Sequence, residues 1–215
     1  MKKIILAVPK GRILNDLKLF FEGTEIIPDA DLFNENTRNL IFNTNLPNLE
    51  IVKVRSFDVA NFVKFGGADL GICGKDVIEE FASSEFFSML NLNIGKCRLS
   101  IAGDVGQNQD FRKFDKIKIA TKYVNITQKY FEKYGIKAEI LKLNGALEIA
   151  TKLGLSNYIV DLVSSGQTLI NNQMVEIEKI LDVSSFLIVN RTSFKTKNHE
   201  INYFLKIFES RDARK

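Results

Sequence analysis

The chain has 215 residues, which fits one or two domains and allows a sizeable core. Its hydrophobic and charged fractions, 45% and 26%, are those of a globular protein and exclude disorder, collagen and low-complexity arrays. The 30 Lys and Arg residues exceed the 26 Asp and Glu by four, a mildly basic balance that suits anionic small molecules and gives little support to nucleic acid binding.

The few cysteines and the single histidine exclude several kinds of site. Cys73 and Cys97 form no CxxC pair, so neither a disulfide scaffold nor a thiolate zinc site is expected. His199 lies in a polar stretch near the C-terminus, whereas triads and histidine metal sites need the imidazole in a pocket. No apolar run approaches the ~18 residues of a membrane span. We therefore expect a cytoplasmic protein that acts through carboxylates, cations, hydroxyls, backbone amides or a hard cation.

Predicted strands and helices alternate over residues 1–90. We predict buried strands at residues 4–8, 49–54 and 68–73, because each is a short apolar run bounded by turn residues. Apolar residues at helical spacing follow each strand. The run at 4–8 ends in a polar loop, so it is better explained as a strand than as a signal peptide. This alternation favours a mostly parallel sheet.

The pattern begins again in the second half of the chain. Residues 177–189 are predicted to form one long or two short strands. The tail is predicted to be an amphipathic helix with the apolar residues Ile201, Phe204, Leu205 and Phe208. The other strands of this half are predicted at residues 97–102, 116–121, 138–143 and 158–163.

This repetition predicts two α/β lobes with mainly parallel sheets. The first lobe is expected to contain residues 1–92 and 188–215, and the second residues 93–187. A cleft between two such lobes is the usual place for a ligand.

The segment 161–169 carries the strongest signal for ligand binding. An apolar strand ends in a loop that contains Ser164, Ser165, Gly166, Gln167 and Thr168. Such a loop can aim successive backbone N–H groups at one anion, and the dipole of the following helix adds to the attraction. Asp161, near the end of the strand, can hold a ribose diol. An ordinary strand–turn–helix with a Ser or Thr cap would explain the same residues. Of the two interpretations, we favour phosphate binding.

A second candidate follows the first strand. Lys10 and Arg12 flank Gly11 where a parallel sheet would present its carboxyl edge. Two cations there favour binding of phosphate or pyrophosphate oxygens. A solvated loop explains the three residues equally well.

The next two strands end in further candidates. Arg55 can clamp a phosphate or stack on a base, although an ion pair or cap with Asp58 is the simpler explanation. The segment 71–76 contains Gly71, Gly74 and Lys75 and superficially resembles a phosphate loop, but it does not match the Walker A pattern. A tight turn and a close approach of the backbone to a ligand are equally good interpretations.

Lys122, Tyr123 and Glu148 lie at strand–helix junctions in the second half. Taken alone, Glu148 is more typical of a surface residue than of a site. Cys73 is more typical of a packed apolar residue than of a nucleophile, since no histidine is available to activate it.

Taken together, in order and spacing, these segments resemble short-form ATP phosphoribosyltransferase. The resemblance rests on six motifs, at residues 8–12, 54–59, 67–77, 119–123, 144–148 and 159–169. It implies a two-lobed fold of the periplasmic-binding-protein type (type II). It also implies the first step of histidine biosynthesis, in which N1 of the adenine of ATP displaces pyrophosphate from C1 of phosphoribosyl pyrophosphate.

The resemblance also implies roles for the candidate residues. Asp161 and Glu148 would be catalytic and hold the ribose hydroxyls, and the 164–168 loop would hold the 5-phosphate. Mg²⁺ would bridge phosphates rather than occupy a site made of protein side chains alone. The other substrate-binding residues would be Lys10, Gly11, Arg12, Arg55, Gly71, Gly74, Lys75, Lys122 and Tyr123.

Some positions depart from the family pattern. Relatives often have arginine where this chain has Gln167, so one cation beside the loop is missing. They often have serine at Ala146, threonine at Ser165, and proline at Ala60 and Val124.

About 25 residues follow the last matched strand, too few for the regulatory domain of long-form relatives. The resemblance therefore implies a hetero-oligomer with a histidyl-tRNA-synthetase-like regulatory subunit, and a chain that is weakly active or inactive alone.

Two other functions remain open at this point. A sensor module of the same fold would bind an anion or nucleotide without chemistry, but it would not explain two cationic loops beside a ribose-type loop. The other possibility is a phosphoribosyltransferase that acts on a different base. The 161–169 segment supports it as well as it supports ATP phosphoribosyltransferase, but the other five motifs do not.

Overall fold

The computed structural model describes residues 2–106 and 110–212 of the chain and divides into two compact units. Unit 1 contains the described residues up to Gly95 and from Ser184 onward, and unit 2 is Lys96–Val183. The connections lie at 95–96 and 183–184, in or next to the crossings expected from the sequence near 93–97 and 184–188. Ile94 and Ser185 both belong to unit 1, where the backbone N–H of Ser185 donates to the carbonyl of Ile94 (2.9 Å).

One sheet lies at the centre of unit 1. In the described residues its strand order is β2-β3-β1-β4-β11-β5. β1 is parallel to both β3 and β4, and the other pairs are antiparallel. The strands are β1 (Ile4–Pro9), β2 (Ile41–Asn43), β3 (Leu49–Val54), β4 (Leu70–Gly74), β5 (Phe86–Asn91) and β11 (Ser185–Asn190).

Helices cover both faces of this sheet, because successive side chains of β1 point to opposite sides. Leu6 packs in one core with Phe20 and Phe208, whose rings stack 5.5 Å apart. Ala7 packs in the other core with Val59. The helices of unit 1 are α1 (Arg12–Glu22), α2 (Ser56–Lys64), α3 (Lys75–Phe81), α7 (Arg191–Thr196) and α8 (Asn198–Asp212).

Gly71 is required by packing in the middle of β4. A Cβ atom there would lie 2.6 Å from Val63 Cγ2 and 2.8 Å from Val59 Cγ1, both on α2. We expect Gly71→Ala to lower the free energy of unfolding by about 1–3 kcal/mol, since overpacking forces side chains from their rotamers. Urea unfolding measures this cost. Gly67→Ala is the matched control, because its added Cβ would meet Phe62 at an ordinary 3.4 Å. Equal stability of the two variants would contradict the packing role.

Unit 2 is built around a second sheet. Its described strands have the order β10-β6-β9-β7-β8, with β7 parallel to β8 and β9 and the remaining pairs antiparallel. The strands are β6 (Cys97–Asp104), β7 (Lys116–Thr121), β8 (Lys137–Lys142), β9 (Tyr158–Val163) and β10 (Met174–Val183). The helices are α4 (Val124–Glu132), α5 (Leu147–Lys152) and α6 (Gln167–Asn171).

Two cores lie against this sheet as well. One contains Ile159 and Val163 of β9 with Leu147 of α5 and Leu169 of α6. In the other, the Phe111 ring meets Phe131 and Tyr158 edge to face, at 5.2 and 6.4 Å. No helix in the described part of the chain is long and apolar enough to span a membrane.

The structure confirms the α/β class and the strands predicted in both halves. The parallel character is confined to three neighbouring strands in each described sheet. The apolar segment predicted at 177–189 is two strands, and they belong to different sheets. The strands β2 and β5 were not predicted, because both lie at a sheet edge and β5 exposes Phe87 and Met89, which blurs its alternation.

Candidate functional site

In unit 2, the carboxyl ends of three parallel strands share one edge of the sheet. β7, β8 and β9 run in the same direction, so the loops that follow them lie along the same edge. This topology explains how residues far apart in sequence come together. The candidates that follow these strands are Lys122, Tyr123, Glu148, Ser164, Ser165, Gly166, Gln167 and Thr168.

A cavity of about 180 Å³ opens at this edge. Asp161 and Glu148 both line it, although they come from different elements. The whole 164–168 loop lines it too, and β6 adds Ser100. The cavity therefore combines two carboxylates, a loop of hydroxyls and backbone amides, and an apolar floor that includes Ile159 and Leu169.

Gly166 gives the 164–168 loop its turn. Its φ and ψ are +81° and −1°, the left-handed region that glycine adopts without a steric cost. The next helix, α6, has only 5 residues, so its dipole adds less attraction than the sequence suggested. Hydroxyls and loop amides are thus the main hydrogen-bond donors that this loop could offer to an anion. The Gln167 amide donates to Asn171 Oδ1 (2.8 Å) along the helix.

Glu148 lies in the first turn of α5, which begins after Ala146. Ala146 has φ +52° and ψ +42°, a left-handed conformation that is costly for a residue with a Cβ. Thr151, one turn after Glu148, donates to Asp104 Oδ1 (3.1 Å) and ties α5 to β6. The backbone thus directs Glu148 into the cavity, where the sequence alone suggested a surface residue.

The sequence analysis missed a polar cluster beside the cavity. Arg98 on β6 donates from Nη1 to the carbonyl oxygen of Ser164 (3.1 Å) and from Nε to Glu176 Oε1 (2.6 Å). Ser100 Oγ donates to the same Glu176 oxygen (2.7 Å). These hydrogen bonds, that of Arg98 first, hold the pKa of Glu176 below its ordinary value. The register that joins β6 to β9 and β10 brings the three residues together, and a sequence does not display that register.

Unit 1 has a comparable edge, formed by β1, β3 and β4. Exposed cations follow β1 and β3, and a half-buried one follows β4. The concentration of positive charge at one edge suits a multiply charged anion. The predicted residues at this edge are Lys10, Gly11, Arg12, Arg55, Gly74 and Lys75.

A second cavity, of about 190 Å³, is lined by Lys10, Gly11 and Lys53. Lys53 is 5% exposed and donates to the carbonyls of Leu32 (2.8 Å) and Asn34 (3.4 Å). Burial, and then the charge of Lys10, lowers the pKa of Lys53. Lys53 was hidden in a strand predicted to be apolar, although it shares the buried face of Leu49 and Ile51.

Other predicted residues have structural contacts. Arg12 donates from Nη2 to the carbonyl of Gly95 (3.2 Å), and the backbone N–H of Lys75 donates to that of Ser184 (2.9 Å). Gly74 is buried at the start of α3. Gly71 is packed in the core, and Tyr123 is 0% exposed. Because Gly71 and Tyr123 are both buried in this structure, their assignment to a ligand stays a prediction.

Comparison with known proteins places this geometry in context. The family HisG, ATP phosphoribosyltransferase, matches residues 55–210. An ATP phosphoribosyltransferase of Rhizorhabdus wittichii is 48% identical over 208 residues, which cover 96% of this chain and 94% of that protein. The enzyme of the same name from Novosphingobium aromaticivorans is 44% identical over 214 residues, covering 99% and 96%.

Solved structures agree. A chain of the ATP phosphoribosyl transferase (HisG:HisZ) complex from Thermotoga maritima superposes with a TM-score of 0.81 at 28% identity, covering 99% of this chain and all of that one. The periplasmic aliphatic sulphonate binding protein SsuA of Escherichia coli has a TM-score of 0.61 at 14% identity, covering 99% of this chain and 69% of that one. The second likeness concerns the fold alone and confirms the periplasmic-binding-protein type. From the family match and the relatives of nearly equal length, the chain belongs to the ATP phosphoribosyltransferase family.

Proposed function

We propose that this chain transfers the phosphoribosyl group of phosphoribosyl pyrophosphate to N1 of ATP, which yields N1-(5-phosphoribosyl)-ATP and pyrophosphate in the first step of histidine biosynthesis. Membership of the family supports this activity over a sensor module without chemistry. One observation supports the proposal within the molecule: the cavity of unit 2 is lined by two carboxylates and by a hydroxyl-rich loop around Gly166.

Phosphoribosyl pyrophosphate fits the chemistry of this cavity. Its 5-phosphate would accept hydrogen bonds from the hydroxyls of Ser164, Ser165 and Thr168 and from the amides around Gly166 and Gln167. Its ribose hydroxyls would donate to the carboxylates of Asp161 and Glu148. A phosphate group needs donors and a diol needs acceptors, and the cavity lining supplies both kinds.

The cationic edge of unit 1 would serve the other anions of the reaction. Lys10, Arg12, Arg55 and Lys75 follow parallel strands there, and Gly11 leaves the backbone accessible. We assign them to the phosphates of ATP and pyrophosphate, with Lys53 as a second charge beside Lys10. Lys122, at the edge of the unit 2 sheet, is assigned to substrate binding there. Gly74 would contact a substrate only through its backbone.

The reaction then follows from these charges. The adenine N1 forms a bond to C1 of the ribose as the bond from C1 to the pyrophosphate oxygen breaks. Positive charge develops on the ribose ring and negative charge on the leaving pyrophosphate. The carboxylate of Asp161, near the ring, would stabilise the first, and the cations assigned to pyrophosphate would stabilise the second. Holding two anionic substrates in line supplies a further large part of the acceleration.

Mg²⁺ suits this site as a partner of phosphates. The described residues contain no group of three or more His, Cys, Asp or Glu side chains that could hold a metal ion. A divalent ion would thus take most of its ligands from phosphate oxygens and water, as Mg²⁺ does. When bound, it neutralises charge on the pyrophosphate. Asp161 and Glu148 are the carboxylates that line the unit 2 cavity and could complete its coordination.

We further infer a hetero-oligomer in the cytoplasm. The Thermotoga maritima neighbour was solved as a HisG:HisZ complex, and this chain covers that HisG-like chain completely. We propose a comparable regulatory subunit, similar to histidyl-tRNA synthetase, for this protein. Nucleic acid is not among the proposed partners, because the net charge of +4 is small for a chain of 215 residues.

The test is an absorbance assay for the N1-phosphoribosyl adduct of ATP, with Mg²⁺, both substrates and pyrophosphatase to pull the equilibrium. It is run with and without the regulatory subunit. We expect adduct only when the subunit is present. Adduct from the chain alone would keep the activity and overturn the dependence. No adduct in either case, with both ligands still bound, would favour the sensor module.

Gly166→Val tests the loop. Valine at φ +81° strains the backbone by about 1–3 kcal/mol, and relief of that strain moves the loop amides. We expect affinity for phosphoribosyl pyrophosphate to fall about tenfold or more with the fold retained, as measured by calorimetric titration. Gly154→Val is the control: its φ is +70° in the same unit, but it does not line the cavity. Equal binding by both variants would remove the loop from the site.

A further inference from the structure

We propose that Arg98 is a positioning residue for phosphoribosyl pyrophosphate, which holds the 164–168 loop through the carbonyl group of Ser164. This inference rests on the proposed function and assigns to the reaction a residue that does not line the cavity. It differs from a direct phosphate contact, because Arg98 acts on the loop and not on the substrate.

The strand register places Arg98 next to the residue at which the 164–168 loop begins. Arg98 is paired with Val163, the last residue of β9, and Ser100 is paired with Asp161. Paired residues on neighbouring strands share a face of the sheet. Arg98 and Ser100 therefore lie on the face that carries Asp161, and the loop begins one residue after Val163.

Three acceptors fix the guanidinium group. Nη1 donates to the Ser164 carbonyl (3.1 Å), Nε to Glu176 Oε1 (2.6 Å) and Nη2 to Glu176 Oε2 (2.5 Å). The Glu176 carboxylate is itself fixed by Ser100 Oγ (2.7 Å). Because the guanidinium is planar and its fork is rigid, clamping two nitrogens on Glu176 determines where the third one points. Glu176 thus aims Arg98 at the loop.

The contact matters for an incoming anion in two ways. A carbonyl oxygen that accepts from Arg98 is held in place and does not turn toward a phosphate that it would repel. The peptide group of Ser164 is then fixed at the point where the loop leaves β9. Glu176 balances the charge of Arg98, so the contribution to binding comes from loop geometry more than from net charge.

The test compares Arg98→Lys and Glu176→Gln with the double variant in the full-length chain. Binding of phosphoribosyl pyrophosphate, ribose 5-phosphate and ATP is measured by calorimetry. The kcat and KM values are measured in the presence of the regulatory subunit. Lysine keeps the charge but lacks the fork. We expect each single variant to weaken both ribose phosphates about tenfold, with ATP changed less than twofold. The double variant should be no weaker than either single one, since the two residues act as a unit.

Arg112→Lys is the matched control. Arg112 pairs with Glu178, two residues from Glu176 on the same strand, at the same 2.5 Å. The exposed fractions of the two arginines are similar, 43% and 35%. Arg112 reaches Tyr134 and not the loop. We expect the control to lose as much thermal stability as Arg98→Lys and to bind all three ligands normally.

Several results would overturn the proposal. One is that Arg98→Lys binds ribose phosphates as tightly as the wild type, and another is that Glu176→Gln binds them more tightly. A third is that the losses of affinity in the two single variants multiply in the double variant. The fourth is that affinity for ATP falls as much as affinity for the ribose phosphates. Failure of the proposed function is a separate result: the wild-type chain would bind ribose 5-phosphate yet form no adduct. A wild-type chain that binds no ribose phosphate would overturn both.

Discussion

Asp161→Asn is expected to lower kcat about a hundredfold and to weaken the binding of phosphoribosyl pyrophosphate by a smaller factor. The variant keeps the shape of the side chain and removes its charge. Asp161 lines the cavity beside the 164–168 loop, where the ribose of the substrate would lie. A carboxylate there does more for a ribose that is becoming positive than for the neutral ring of the ground state. The loss should therefore fall mainly on turnover.

Steady-state kinetics of the complex with the regulatory subunit measure this effect, with single-turnover rates to separate chemistry from product release. Asp182→Asn is the control, because Asp182 lies on β10 of the same unit with a side chain that is 78% exposed and does not line the cavity. Its kinetics should match those of the wild type. A normal kcat in Asp161→Asn would contradict the assigned role, and an effect confined to KM would reduce Asp161 to a binding residue.

Asp69→Ala is expected to lower the free energy of unfolding by about 3–5 kcal/mol, because it removes a buried carboxylate that pairs with the partly exposed Lys197 and accepts two further hydrogen bonds. Asp69 is 4% exposed. Its carboxylate accepts from the backbone N–H of Ile5 (2.9 Å), from Ser193 Oγ (2.7 Å) and from Lys197 Nζ (2.7 Å). These contacts join β1, the start of β4 and the C-terminal helices, so the loss leaves several polar groups without a partner.

Thermal unfolding checks this prediction, with an expected fall in Tm of roughly 6–20 °C for a chain of this size. Lys3→Met is the control, since Lys3 pairs with Glu50 (2.9 Å) in the same unit but its side chain is 61% exposed. An exposed pair contributes less than about 1 kcal/mol. If the two variants lost equal stability, the buried network would have no special role.

Strand assignments were the part of the fold that the sequence predicted best. β3, β7 and β9 have the predicted bounds, because each is a short apolar or alternating run between turn residues. The edge strands β2 and β5 were missed. An edge strand buries one face only in part, and the Ile41 side chain is 61% exposed, so the hydrophobic pattern there is weak.

The sequence analysis proposed site residues near the carboxyl ends of strands, with Asp161 inside β9, and overlooked three charged residues within other strands. The 164–168 loop and Asp161 were proposed from local pattern, and the structure places them with Glu148 in the lining of one cavity. Arg98, Glu176 and Lys53 could not be found this way, because their partners are set by strand register and by a distant segment. Tyr123 was proposed from its position after β7, and in the structure its ring is buried.

The position of β11 determines the order in which the two units can complete their folds during synthesis. Unit 2 is one continuous stretch of chain, whereas the sheet of unit 1 has β11 between β4 and β5. During synthesis, unit 2 can complete its fold as soon as Val183 has left the ribosome. Unit 1 must wait for β11 and for α8, which covers Phe20 with Phe208. Its N-terminal strands therefore emerge first from the ribosome but complete their sheet last.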